Sequence, residues 1–272
     1  LNEVSPMWYP GHMAKASKLI ERLRKNIDLV VELLDARAPA ATRSYSRNPI
    51  KAKKSVIVMT KSDLALDDGV ILWKEFFEKS NEQVFLFNKY TQREKVIEFI
   101  TEFVQKNGFI IVVGVPNVGK STFINKLKGT KSAQVGAVPG ITKGVQWFSV
   151  AEKFKVLDTP GLLLPDLWST DLGAKLLLVG SLTVDMVPPK VIERAFEIYS
   201  KAMKIENANF EEYLEKYALE KKMIIKGGQP DKKRAMVNLF NSIAQGKMGK
   251  FTFEFPQEVD KYQSDYLFTT RS

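Results

Sequence analysis

The sequence contains no cysteine among its 272 residues. A disulfide framework, a thiolate metal site and a cysteine nucleophile are therefore excluded. The sequence also has no uninterrupted apolar run that approaches the roughly 18 residues of a membrane span, and no signal-peptide pattern opens it. These absences suit a reducing cytosol, so we expect a cytoplasmic protein with no membrane partner.

Acidic side chains are too few to balance the basic ones, and the net charge is +10 at pH 7. The excess lies in two stretches: residues 1–60 carry 11 basic and 5 acidic side chains, and residues 221–250 carry 8 and 1. Basic patches are the footprint expected for a phosphate-rich partner such as RNA. Solvated faces that only keep the protein soluble are the alternative interpretation.

The most informative stretch is an apolar run that ends in a glycine-rich loop. Residues 109–121 read F-I-I-V-V-G-V-P-N-V-G-K-S, and residues 122–127 continue with helical spacing of their apolar side chains. The pattern predicts a strand, a phosphate loop and a helix, in which Lys120 reaches phosphate oxygens and Ser121 can bind Mg²⁺. A glycine-rich structural turn is the alternative. The predicted nucleotide contacts in this loop are Asn117, Val118, Gly119, Lys120, Ser121 and Thr122.

Strands and helices alternate along the first 165 residues. This order predicts an α/β fold with a mostly parallel sheet, helices on both faces and ligands at the carboxyl ends of the strands. One predicted helix, residues 67–79, should turn Ile71, Leu72, Phe76 and Phe77 inward. The rest of the chain reads as helices over residues 191–203, 210–223 and 232–245, followed by Phe251, Phe253 and Phe255 in a short strand or packed tail.

Two further segments predict contacts with phosphate and metal. Asp158-Thr-Pro-Gly161 follows a predicted strand, so Asp158 can support Mg²⁺ through its water shell and the Gly161 amide can contact the γ-phosphate. An Asp-initiated turn is the alternative. Residues 136–144 form a loop rich in glycine and proline, in which Thr142 is placed to give Mg²⁺ a hydroxyl ligand and sense the γ-phosphate.

Thr60-Lys61-Ser62-Asp63 predicts which base is bound. The carboxylate of Asp63 can accept hydrogen bonds from N1–H and the 2-amino group of guanine, while the stem of Lys61 lies over the ring. Adenine offers no such pair of donors, which opposes an ATP-using kinase or ATPase. A helix-capping role for Asp63 is the alternative.

Four motifs resemble those of translation-factor-type GTPases: T-K-S-D at 60–63, G-V-P-N-V-G-K-S at 114–121, P-G-I-T at 139–142 and D-T-P-G at 158–161. The base-specificity motif precedes the phosphate loop, an order that looks like the circularly permuted GTPases.

Three more segments are similar to the ribosome biogenesis GTPase A family: W-Y-P-G-H-M-A-K-A at 8–16, D-A-R-A-P at 35–39 and S-R-N-P at 46–49. The resemblance implies a circularly permuted GTPase domain over residues 1–170 and a small all-α domain over residues 171–272, which we expect to contact RNA. It implies GTP hydrolysis, with the precursor of the large ribosomal subunit and its rRNA as partners. We expect a monomer.

The resemblance also bears on catalysis. Leu162 occupies the position where Ras-like enzymes place the glutamine that orients the attacking water. The family is similar in lacking that glutamine, and the resemblance assigns its role to His12, the only histidine; a structural turn or RNA contact is the alternative. Asn117 looks like the asparagine with which related GTPases bind K⁺, and simple loop capping is its alternative. The predicted catalytic residues are His12, Lys120 and Thr142.

These expectations describe a GTP- and GDP-binding assembly factor that uses Mg²⁺ and K⁺, docks on rRNA of the immature large subunit and is released on hydrolysis. A nucleotide-gated RNA-binding module with negligible catalysis is the alternative, which the absent glutamine favours and the His12 turn opposes. Phe87-Asn88-Lys89 follows a strand where a fifth, base-contacting segment is expected, but it lacks the usual small residues.

Overall fold

A computed structural model describes residues 26–43, 54–129, 134–135, 146–158, 169–206 and 208–259. Helical spacing of apolar side chains also predicts a helix over residues 13–26, which lies outside the described residues except for Asn26. The strands are β1 Leu29–Asp35, β2 Ser55–Thr60, β3 Val84–Leu86, β4 Gly108–Val113, β5 Gln134–Val135, β6 Gln146–Val150 and β7 Phe154–Asp158. The helices are α1 Pro39–Arg43, α2 Asp67–Lys79, α3 Arg93–Thr101, α4 Lys120–Lys128, α5 Thr170–Leu178, α6 Pro189–Ala202, α7 Phe210–Glu220 and α8 Lys232–Ala244, with 3₁₀ turns at Val184–Met186 and Pro256–Glu258.

The seven strands form one sheet in the order β3-β2-β1-β4-β7-β6-β5. The pairs from β3 to β7 are all parallel, and β6 is antiparallel to both β7 and β5. This confirms the predicted mostly parallel sheet. The central strands β1 and β4 are buried on both faces, because helices cover the sheet from two sides.

Successive side chains of β2 point to opposite faces of the sheet and so belong to two different hydrophobic clusters. Val56 and Val58 pack with α3 and α4, whereas Ile57 and Met59 pack with α2. Helix α2 has the predicted bounds but only part of the predicted face. Phe77 is buried and Phe76 is partly buried, as predicted, whereas Ile71 and Leu72 are 54% and 38% exposed, because the helix buries Gly69, Val70 and Trp73 in their place. The buried face is the one that carries the indole of Trp73, which is fully buried. Its Nε1–H donates to the carbonyl oxygen of Glu254 at 2.9 Å.

The helices after residue 169 share a core of their own. Helices α5 to α8 contribute most of it, and Ala38 and Ala41 of the α1 region pack against it. Helix α5 starts at Thr170, where the Ser169 hydroxyl accepts a hydrogen bond from the Leu172 amide at 3.1 Å. The predicted division at residues 170 and 171 coincides with this helix start and stays a prediction.

Residues 251–255 form a packed tail and not a strand. Phe251 and Phe253 are buried as alternation predicts, but Thr252 and Glu254 are buried too. The tail runs between the helical region and the sheet layer: the Phe251 amide donates to Leu64 O at 3.0 Å and the Phe253 amide donates to Arg37 O at 2.8 Å.

Within the ranges that the structure describes, no helix combines the length and apolar character needed to span a bilayer. The remaining predicted helices are present with ends shifted by a few residues. The largest shift is in α3, which the sequence pattern predicts over residues 94–105 and which ends at Thr101.

Candidate functional site

Residues 114–121, here called the phosphate loop, join β4 to α4. Asn117 and Gly119 both have positive φ, at 56° and 111°, so the chain turns tightly before the helix begins. A Cβ on Gly114 would lie 2.8 Å from the carbonyl oxygen of Leu33, which explains why glycine is required there. Ser121 and Thr122 are exposed in the first turn of α4. The backbone is therefore shaped to present N–H groups and a helix N-terminus to an anion.

Lys120 lies inside this loop, with only 9% of the residue exposed. Its Nζ donates to the carbonyl oxygens of Gly114 at 2.7 Å and Val115 at 3.0 Å. Burial lowers the pKa of Lys120 to about 8. The ammonium is thus held at the loop, in surroundings that disfavour an unpaired positive charge.

Residues 60–63, here called the base segment, follow β2 and lie against the phosphate loop. The Thr60 hydroxyl contacts two carbonyl oxygens, that of Val118 at 2.5 Å and that of Leu34 at 3.1 Å, and Thr60 is buried. The parallel strands β2 and β4 flank β1 and have their carboxyl ends at the same edge of the sheet, which produces this meeting, as predicted. The hydroxyl hydrogen of Thr60 is used inside the protein, so this side chain joins the two segments.

Asp63 lies in a turn closed by a hydrogen bond from the Leu64 amide to Lys61 O at 2.9 Å, and it is half-buried. It does not cap α2, whose N-cap is Leu66 with no side-chain capping bond. The segment after β3 lies beside it: Asn88 Nδ2 donates to the Ser62 hydroxyl at 3.2 Å. The structure therefore brings residues 87–89 to the base segment, as the sequence pattern suggested.

A buried ionic cluster adjoins the base segment, and no spacing rule had identified it. Asp35 ends β1 opposite Thr60 and is fully buried. Its Oδ2 pairs with Lys61 Nζ at 2.8 Å and with Arg37 Nη2 at 2.9 Å. Burial alone would raise the pKa of Asp35, but Arg37 and Lys61 outweigh it and hold the pKa well below its usual range. Burial lowers the pKa of Lys61 in spite of Asp35.

The phosphate loop also contacts the helical region. Asn117 Nδ2 donates to the carbonyl oxygen of Gly180, just beyond α5, at 2.8 Å. The amide nitrogen of Asn117 is thus engaged with another segment. The K⁺-binding role predicted for Asn117 stays a prediction.

Several predicted site residues lie outside what the structure describes. These are His12, Thr142 and Gly161. Asp158 ends β7, paired with Gln146 of β6, but its side chain is not described. The structure thus brings together the residues of the phosphate loop and base segment, and leaves the roles of these four as predictions.

Comparison with known proteins agrees with this arrangement. A family model described as 50S ribosome-binding GTPase matches residues 109–226. A protein of Thermotoga maritima named ribosome biogenesis GTPase A is 42% identical over 259 residues, which cover 95% of this chain and 97% of that protein. The chain belongs to the ribosome biogenesis GTPase A family.

Two solved structures are similar to this member of the family over most of its length. The GNP-bound structure of YlqF from T. maritima has a TM-score of 0.78 and 39% identity, covering 89% of this chain and 99% of that one. A GDP-bound YlqF has a TM-score of 0.77 and 39% identity, covering 88% and 99%. The chain is therefore a GTPase with the fold of this family.

The match to the family model begins at β4 and excludes the base segment, which lies upstream at residues 60–63. This is the order of a circularly permuted GTPase domain, and it confirms that part of the predicted fold.

Proposed function

We propose that this GTPase binds the guanine nucleotide where the phosphate loop and base segment meet. The observation that carries the proposal is the 2.5 Å hydrogen bond from the Thr60 hydroxyl to Val118 O, which joins the two segments. A nucleotide that spans the two segments is bound at its phosphates by the phosphate loop and at its base by the base segment. The hydrogen bond keeps these two segments at a fixed distance from each other. Asp63 accepts hydrogen bonds from the guanine edge and the Lys61 stem lies over the ring.

The phosphate side uses the loop and three oxygen donors. Lys120 and the loop N–H groups contact the β- and γ-phosphates, and the amide of Gly161 contacts the γ-phosphate. Ser121 and Thr142 give Mg²⁺ hydroxyl ligands, and Asp158 binds its water shell. Mg²⁺ prefers oxygen ligands. The Ser121 hydroxyl supports the proposed Mg²⁺ site because it is exposed at the start of α4, where a cation can reach it. Mg²⁺, when bound, neutralises phosphate charge.

We further propose that His12 positions the attacking water, since Leu162 cannot accept or donate the necessary hydrogen bond. The sequence around His12 supports this through its likeness to the family. Asn117 contributes to a K⁺ site beside the phosphates. K⁺, when bound, supplies positive charge that other enzymes obtain from an arginine finger.

The partner in this proposal is the rRNA of an immature large ribosomal subunit, with release on hydrolysis. Residues 223–231 support an RNA contact. They form a tight turn in which the Asp231 amide donates to Met223 O at 2.8 Å and the Ile225 amide donates to Gln229 O at 2.9 Å. Around it lies an exposed basic cluster that can contact the phosphate backbone, made up of Lys221, Lys222, Lys226, Lys233 and Arg234.

Lys232 belongs to that cluster in sequence but is partly neutralised. Its Nζ lies 3.3 Å from both Glu211 and Glu215. We therefore assign the RNA contact to the other five cations. The proposal keeps residues 1–170 as the GTPase domain and residues 171–272 as the ribosome-contacting domain, in a monomer that acts in the cytoplasm where subunits are assembled.

The guanine assignment is tested with Asp63→Asn. An amide cannot accept both guanine hydrogen bonds, so GTP affinity should fall at least about tenfold, the loss typical of a buried polar group left unpaired. Xanthosine triphosphate, which carries a carbonyl in place of the 2-amino group, should gain affinity. Asp68→Asn is the matched control, because Asp68 is exposed in α2. Unchanged selectivity for GTP over ATP and xanthosine triphosphate would contradict the assignment.

A further inference from the structure

The turn that ends α5 receives side chains from three parts of the nucleotide site. The carbonyl oxygen of Val179 accepts hydrogen bonds from Lys61 Nζ at 3.3 Å and Arg37 Nη2 at 3.4 Å. The next carbonyl, that of Gly180, accepts from Asn117 at 2.8 Å. Carbonyl groups at a helix C-terminus lack intrahelical partners and form the negative end of its dipole, so they suit cationic donors.

Both carboxylate oxygens of Asp35 are used in the same cluster. Oδ1 accepts from Arg37 Nε at 2.9 Å and from the Arg37 backbone amide at 3.1 Å. Oδ2 accepts from Arg37 Nη2 at 2.9 Å and pairs with Lys61 Nζ at 2.8 Å. Asp35, which is fully buried, is therefore the common anion of two cations, and its charge-assisted hydrogen bonds define the geometry of the cluster.

The guanidinium of Arg37 extends this network to a second helix. Its Nη1 donates to the carbonyl oxygens of Ile243 at 3.2 Å and Ala244 at 3.0 Å, at the end of α8. Arg37 is 1% exposed. One arginine thus links the carboxylate beside the base segment to the C-terminal ends of both α5 and α8.

We infer that Asp35 is a positioning residue for guanine binding, which holds Lys61 in place and, through Arg37, ties the base segment to the ends of α5 and α8. The inference rests on the proposed guanine site. Lys61 has a φ of 53°, which is uncommon for a residue with a side chain, and its ammonium is fixed at two points. Its stem is thereby ordered before the base arrives, which lowers the entropy lost on binding.

Asp35→Asn tests the inference, because asparagine keeps the size of the side chain and removes its charge. Lys61 and Arg37 then lose their shared anion. Affinities for GTP and GDP should fall together, by roughly tenfold, within the usual range of coupling between adjacent groups. The rate of hydrolysis of bound GTP should stay within about twofold, because base contacts are equal in the ground and transition states.

Glu254→Gln is the matched control. Glu254 is also a buried carboxylate in an ion pair, 3.3 Å from Lys175 Nζ, and it accepts a hydrogen bond from the Ala41 amide at 2.9 Å. This control should lose stability as Asp35→Asn does and keep its nucleotide affinity. Equal nucleotide affinities in Asp35→Asn, Glu254→Gln and the unaltered protein would overturn the inference.

Arg37→Gln provides a second measurement that does not require Asp35→Asn to fold. In the unaltered protein, GDP should slow amide hydrogen exchange at residues 179–182 and 243–246. In Arg37→Gln, GDP should still bind through the Asp35–Lys61 pair, but protection at 243–246 should be lost. Equal protection there in both proteins would overturn the link to α8. If Asp63→Asn leaves guanine selectivity intact, the proposed guanine site itself is wrong, and this outcome is distinct from a failure of the Asp35 inference.

Discussion

The ammonium of Lys120 is buried among carbonyl groups of the loop that it serves. Without an anionic partner such a charge is costly, and burial lowers the pKa of Lys120 to about 8. The ammonium form is therefore dominant below pH 8 and the neutral amine above it. Nucleotide phosphates favour the charged form, so binding should raise this pKa and draw a proton from solvent.

The apparent Kd for GTP should accordingly rise about tenfold between pH 7 and pH 9, and about half a proton should be taken up per GTP at pH 8. Calorimetry in two buffers of different ionisation enthalpy measures the uptake. Lys120→Arg stays charged throughout this range, so whatever its affinity, its Kd should not show this slope. GTP binding without proton uptake at pH 8 would contradict the pKa assignment.

The sequence was sufficient to predict where Lys120 and Asp63 lie, because their positions in short motifs after β4 and β2 limit the possibilities, and their roles as site residues stay predictions. It was not sufficient for the roles of Asp35 and Arg37. The D-A-R-A-P segment was noted only as a likeness. Its partners Val179, Ile243 and Ala244 lie more than 140 positions away in the chain, and only the packing of α5 and α8 brings them to Arg37.

Helix α2 and the C-terminal tail approach each other at a glycine. A Cβ on Gly69 would collide with Thr252 Oγ1 and lie 2.8 Å from Thr252 Cγ2. The Thr252 hydroxyl also accepts a hydrogen bond from the Leu66 amide at 3.2 Å, beside the start of the helix. Thr252 of the tail therefore packs directly against the backbone of α2 at Gly69, in the space that a Cβ would occupy.

Gly69→Ala should destabilise the protein, although alanine favours an α-helix by about 1 kcal/mol. Overpacking typically costs about 1–3 kcal/mol, so the net loss of stability in urea unfolding should be up to about 2 kcal/mol. Adding Thr252→Ala removes both colliding atoms. The double variant should therefore be more stable than the sum of the single effects predicts. A stabilised Gly69→Ala protein would show that the tail does not pack there.

Helices differ in how well the sequence predicted them. The bounds of α2 were correct, but its run of apolar residues offers two overlapping faces, and the tail selects the one with Trp73. Helix α5 was not predicted at all, because Leu172 to Leu178 are buried on every side and show no amphipathic period. Helices α6, α7 and α8 each have a polar face, and the pattern predicted them within a few residues.

Permutation changes what lies next to the nucleotide site along the chain. The segment after Asp158 leads directly into the helices that start at Thr170, whereas the base segment comes 60 positions before Lys120. The site therefore contacts the helical region through Asn117, Lys61 and Arg37, and is joined to it by the chain as well. We propose that this connection lets nucleotide state change the surface that the basic cluster presents to RNA.

GTP hydrolysis by the purified protein, measured with and without large ribosomal subunits in matched K⁺ or Na⁺ buffers, tests this account most directly. An ATP control belongs in the same series. We predict slow basal turnover and at least about tenfold stimulation of GTP turnover by subunits, with a steep decline as salt rises, because phosphate contacts release counterions. Tight GTP binding with the same turnover whether or not subunits are present would contradict the account.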